Sequence, residues 1–215
     1  MRQSELVHNI FNALELGNEA IEAYRPSGYS WYETAKVQTS LFADTMGVTP
    51  EVAAICLAGA SRATSVWQSF VRSEIYLRTG TVYFAGDYID SLLDRYRMVG
   101  KFGSATSPKV SAFCKNILEG DSDILTVDRH AISLAIGKKV AGAPETMLAK
   151  IRRAYHVVAR DTGLSQSETQ SIAWIGWRSI DPQFQFHAAE HGRHHADVFA
   201  DFTPMDYLES IGCYA

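Results

Sequence analysis

The stretch "ILTVDRHAISLAIG", residues 124–137, sets an Asp-Arg-His triplet inside a run of aliphatic side chains. Ile124, Leu125 and Val127 precede the triplet; Ala131, Ile132, Leu134, Ala135 and Ile136 follow it. Burying a carboxylate without a partner is costly. Asp128 therefore either caps the helix that the second half of the stretch predicts, or performs chemistry at its N-terminus, where negative charge is favoured.

Outward from this stretch the pattern is helical nearly throughout. Leu6, Ile10, Phe11 and Leu14 recur at helical spacing. A break at 25–30 precedes a helix over 31–47. Thr49 and Pro50 are start signals for a helix through residue 60. Further helices are predicted over 61–80, 86–99, 108–120 and 144–163, several closed by glycine. Ser165 and Glu168 form a capping box for a helix over 165–180. Residues 181–199 predict a last long helix. Only "GTVYFAG" (80–86) looks strand-like, and it is short. The expectation is an all-α, two-lobed bundle of about ten helices. Residues 1–180 form its main domain, and 181–215 a helical extension packed on it.

Composition bounds the function. The chain has 215 residues, 47% hydrophobic and 20% charged, which is ordinary globular composition. A net charge of -4 gives no bulk footprint for nucleic acid, so any DNA-binding surface has to be a local basic patch. Lys138 with Lys139 and Arg152 with Arg153 are small basic clusters of the kind that usually stay solvated. Cys56, Cys114 and Cys213 form no CxxC pair and read as reduced thiols. The opening "MRQSELVHNI" has no apolar signal-peptide core, and no apolar run reaches the ~20 residues of a membrane helix. The expectation is a cytoplasmic protein with no membrane partner and no cofactor.

The order of three segments carries a resemblance. A helix "AAICLAGASRATSVWQSF" (53–70) comes first, then "GSATSPKVSAF" (103–113), then "TVDRHAISLAIG" (126–137). Lys109-Val110-Ser111 and Val127-Asp128-Arg129-His130 supply the characteristic residues. This arrangement resembles the helix-hairpin-helix DNA glycosylase superfamily, endonuclease III-like, over roughly residues 31–178. The chain also looks like phage-encoded proteins that share the Val-Asp-Arg-His element, which would place it in the cytoplasm of a bacterial host. The family's hairpin is a Leu-Pro-Gly-Val-Gly type turn; this chain keeps Gly103 and lacks the second close glycine.

What the resemblance implies is an enzyme acting on a flipped, modified or damaged base in duplex or single-stranded DNA. Asp128 would be the catalytic carboxylate, stabilising an oxocarbenium-like sugar. Lys109 would be a nucleophile if burial lowers its pKa, and a phosphate contact if it stays solvated. Gly103, Ser104, Ser107, Arg129 and His130 would be DNA-binding residues. Ser61 and Arg62 would probe the gap left by the flipped base. Two alternatives stay open. One is a same-fold phage enzyme that modifies a base. The other is a non-catalytic protein binding DNA, a nucleotide or a host protein.

Other features carry plainer readings. Trp31, Trp174 and Trp177 read as core. His187, His191, His194, His195 and Asp197 have a spacing that can hold zinc or nickel, but His-x-x-Glu-His inverts the helix-borne zinc-protease signature. The peptidase class that uses the inverted form needs a further downstream glutamate, for which Glu209 is the only candidate, and no metal is expected. An iron–sulfur cluster needs four cysteines, more than this chain has.

Overall fold

The computed structural model describes residues 1–24, 31–61, 66–100 and 108–180. Among these residues the protein is all-α, with nine helices and no strand. They are α1 (Gln3–Tyr24), α2 (Trp31–Met46), α3 (Pro50–Ala60), α4 (Val66–Thr79), α5 (Gly86–Val99), α6 (Pro108–Glu119), α7 (Arg129–Ile136), α8 (Glu145–Thr162) and α9 (Gln166–Ser179). The helix expected over 181–199 lies outside the described residues.

The local signals that start these helices act through single side-chain bonds. The Thr49 hydroxyl accepts the Val52 N–H at 3.4 Å, ahead of Pro50 at the first helical position. At α9 the Ser165 hydroxyl accepts the Glu168 N–H at 3.1 Å, and the Glu168 carboxylate accepts the Ser165 N–H at 2.8 Å. Two expectations are corrected. Ser61 closes α3 rather than opening the next helix, its hydroxyl donating to the Ala58 carbonyl at 2.8 Å; of the helix expected over 61–80, Val66–Thr79 is described as α4. The strand-like 80–86 is a turn: the Gly86 N–H folds back onto the Val82 carbonyl at 2.9 Å and α5 starts there.

The chain divides into two compact units. One takes Met1–Tyr32 and the described residues from Asp121 onward; the other takes Glu33–Gly120. The first unit buries Leu6, Ile10 and Leu14 of α1 against Ile132 and Leu134 of α7, Ile151, Tyr155 and Val158 of α8, and Ile172 and Ala173 of α9. The apolar flank of the opening stretch is thus core. The second unit packs Ile55 and Cys56 of α3, Tyr76 of α4, Ile89, Leu92 and Leu93 of α5, and Val110 and Cys114 of α6.

α1 and α9 approach each other backbone to backbone. A Cβ added at Gly17 would overlap the Ile172 carbonyl, and one added at Gly176 would overlap the Ala13 carbonyl and lie 2.5 Å from the Gly17 nitrogen. Backbone cannot retreat as a flexible side chain can, so both positions require the absence of a side chain. Gly176→Ala is therefore expected to lower stability by about 3 kcal/mol, read as a reduced urea midpoint. Gly142→Ala, where an added Cβ meets nothing within 4 Å, is the matched control and should stay within about 0.5 kcal/mol of wild type.

Candidate functional site

Residues 121–128 reach α7 as an extended segment held by side chains of α9. The Ser122 N–H donates to the Ser167 hydroxyl at 2.7 Å, and the Ser167 N–H donates to the Ser122 carbonyl at 3.0 Å. Gln166 Nε2 donates to the Asp123 carbonyl at 3.0 Å. Gln170 grips the buried Thr126 from both sides: its Oε1 accepts the Thr126 N–H at 2.9 Å, and its Nε2 donates to the Thr126 carbonyl at 2.6 Å. A carboxamide used this way replaces the partner strand that an extended segment lacks. Sequence reading missed these residues. The available signal was the density of Ser, Thr and Gln between 165 and 171, on a helix that also has to pack against α1.

This clamp delivers Asp128 to the first turn of α7. Asp128 is half-buried, with extended backbone (φ −102°, ψ −179°), and its Oδ1 accepts the Ala131 N–H at 2.7 Å. The second oxygen, Oδ2, makes no hydrogen bond and Asp128 no ion pair among the described residues. Directly behind the cap lies Tyr155, fully buried, its hydroxyl donating to the Ala131 carbonyl at 3.4 Å. Burial pushes the Tyr155 phenol well above its usual range, and the Asp128 charge adds to the shift. Tyr155 is therefore a neutral hydrogen-bond donor beneath the site.

Arg129 and His130 are exposed on the first turn of α7. The His130 ring stands edge-on to the Trp174 ring of α9, centroids 6.4 Å apart at 72°. The Arg178 guanidinium lies 5.0 Å from the Trp174 ring centroid. Trp174 is thus half-buried between an imidazole and a guanidinium rather than a plain core residue, whereas Trp177 packs on the core of this unit. The result is a carboxylate with one open oxygen, flanked by cationic and aromatic groups.

The remaining expected residues belong to other segments of the chain. Lys109 is exposed on the first turn of α6, within the Glu33–Gly120 unit, and Ser61 belongs to that unit too. Lys109 thus lacks the burial that its reading as a nucleophile requires. Gly103, Ser104, Ser107 and Arg62 lie outside the described residues, as do His187, His191, His194, His195 and Asp197. Among the described residues no group of three His, Cys, Asp or Glu side chains could hold a metal ion. No single helix among them is long and apolar enough to cross a membrane.

Two further potential nucleophiles are shielded. Cys56 and Cys114 are free and buried in the second unit, and burial pushes both thiols up to about 12. Cys114 Sγ donates to the Ala54 carbonyl at 3.7 Å.

A protein-family model described as "Family of unknown function (DUF7178)" matches residues 1–181. The chain belongs to this family. No curated protein and no solved structure matches it. The match spans every helix described above, so the α9 clamp and the Asp128 cap both fall within the family's own segment.

Two expectations follow from this geometry. Asn caps helices about as well as Asp, so Asp128→Asn should leave the melting temperature nearly unchanged, while Asp128→Ala should cost about 1 kcal/mol. In a Cys213→Ser background, a thiol reagent at pH 8 should label Cys56 and Cys114 only as fast as the protein unfolds. Because both folded thiols titrate above their ordinary value of 9.0, their contribution to stability is complete below pH ~9 and is lost as pH rises toward ~12, a loss that alkaline urea titrations should reveal.

Proposed function

We propose that this chain acts on a nucleobase in DNA and cleaves its N-glycosidic bond, with Asp128 as the stabilising carboxylate. The observation that carries the reading is the Asp128 side chain itself. One oxygen is fixed by the Ala131 N–H, and the other makes no hydrogen bond among the described residues. A cap alone needs only the first. The second is a fixed negative charge, aimed without conformational search, which is what stabilises a developing cation. The resemblance of Val127-Asp128-Arg129-His130 and Lys109 to helix-hairpin-helix glycosylases supports the same role.

The chemistry follows from the sugar. As the glycosidic bond breaks, its electron pair leaves with the base and C1′ becomes cationic. Asp128 stabilises that cation. Water then adds at C1′, its oxygen forming the new bond and its proton passing to solvent or the departing base. Lys109, exposed and solvated, suits a phosphate contact rather than attack on the sugar, so the reaction is hydrolysis without strand cleavage. Arg129 and Arg178 supply local positive charge on a chain of net charge -4, which is where a polyanion would approach.

Base release from oligonucleotides containing uracil, hydroxymethyluracil, oxidised or alkylated bases tests this, in duplex and single-stranded form. Wild type should release at least one of these bases, and Asp128→Asn should lose on the order of a hundredfold in rate while keeping its fold. No release from any substrate by folded wild type would overturn hydrolysis and leave base modification or plain binding at the same carboxylate.

A further inference from the structure

The turn between α4 and α5 carries an aromatic pair that no core uses. Tyr83 and Phe84 are 79% and 80% exposed. Their ring centroids lie 3.9 Å apart at an interplanar angle of 54°. Phe84 has φ +65°, the one non-glycine residue in the left-handed region among those described. A bulky side chain in that region is strained, and strain of this kind clusters at functional positions.

The turn beneath these rings is fixed. The Ala85 and Gly86 N–H groups both point at the Val82 carbonyl, at 3.4 and 2.9 Å, and both residues are buried. The Thr79 hydroxyl lies 2.7 Å from the Ile75 carbonyl and 2.8 Å from the Thr81 carbonyl. Two aromatic rings are thus held out into water on a rigid base. That is the form of an interface anchor, because little freedom remains to be lost on binding.

Charge identifies what such an anchor can meet. Asp87, Asp90 and Asp94 lie exposed along one face of α5, immediately after the turn, with no Lys or Arg in the helix before Arg95. Asp94 pairs with Arg97 at 3.0 Å and Asp90 accepts the Tyr76 hydroxyl, which leaves Asp87, nearest the rings, as the open carboxylate. This acidic flank disfavours a nucleic-acid backbone or an anionic lipid surface. It also disfavours the same turn on a second copy, since two acidic faces would then oppose each other. Positive charge is present on α8, where Arg153 is exposed and Lys150 is half-buried one turn before; Arg160, one face further on, is already paired with Asp161 at 2.6 Å. Arg153 makes no ion pair among the described residues; its Nε donates to the Ala149 carbonyl at 3.4 Å. Guanidinium groups stack on aromatic faces and pair with carboxylates, so this face suits both the rings and the aspartates.

We propose that the Tyr83–Phe84 turn of one copy docks on the exposed basic face of α8 of a second copy. The contact is head-to-tail, so repetition closes a ring or extends a chain. It is independent of the chemistry assigned to Asp128.

Sedimentation velocity at low salt, from micromolar to hundreds of micromolar protein, tests the contact. Wild type should associate with rising concentration and dissociate as salt is added. Tyr83→Ser and Phe84→Gly should each weaken association at least about tenfold. Glycine suits the backbone at position 84, so Phe84→Gly should do this with a melting temperature at or above wild type, which separates lost docking from lost folding. Arg153→Asp and Asp87→Arg should each weaken association, and the two together should restore part of it. A wild type that stays monomeric throughout would overturn the proposal. So would association indifferent to the turn variants, or a charge-swapped pair no better than its single parents.

Discussion

Two glycines, Gly17 and Gly176, let α1 and α9 touch through their backbones, and much of the first unit depends on that contact. It fixes where α9 lies. α9 in turn uses its first two turns for something else: Gln166, Ser167 and Gln170 hold the extended segment that ends at Asp128. One helix therefore carries a bare face for close packing and a polar face for clamping. The carboxylate's position is inherited from both. A shift of α9 by a methyl group's width would be transmitted through short bonds to Thr126, and from there to the α7 cap.

In the proposed function the Asp128 side chain carries a structural role and a chemical one together. The cap needs an oxygen at hydrogen-bond distance from Ala131 N. Catalysis needs a negative charge that does not move. The cap supplies the immobility, and Tyr155, buried and neutral, supplies a solid floor beneath the first turn. Neither role argues against the other, so their separation rests on Asn, which caps without carrying charge.

What was legible in the sequence was what is local. Thr49 with Pro50, and Ser165 with Glu168, announce helix starts because the bonds they make lie within four residues. The all-α class followed from 3.6-residue periodicity, and Asp128 could be read as a cap from its place before an apolar run. Long-range partners were not legible. Nothing near Ser122 or Thr126 says that side chains more than forty residues away will satisfy their backbone groups. Gly17 and Gly176 read as ordinary helix residues until their neighbours are known. Residues 80–86 looked strand-like because Val82, Tyr83 and Phe84 favour strands; with no strand to pair among the described residues, their backbone bonds close a turn instead. Trp174 read as core by its spacing from Trp177, yet its neighbours are His130 and Arg178.

The division of the chain also sets an order of assembly. The first unit is built from the two outer parts of the described chain, with Glu33–Gly120 between them. α1 emerges early in synthesis, but its glycine-lined partner follows on the order of 160 residues later, and contacts that distant form late because closing a long loop is entropically expensive. The intervening unit has its own core and can collapse first, which shortens the distance the outer helices have to search. Until α9 arrives, the Leu6, Ile10 and Leu14 stripe of α1 has lost its chief cover. The nascent chain is then at its most exposed to chaperones and to aggregation, and the arrival of α9 is what ends that interval.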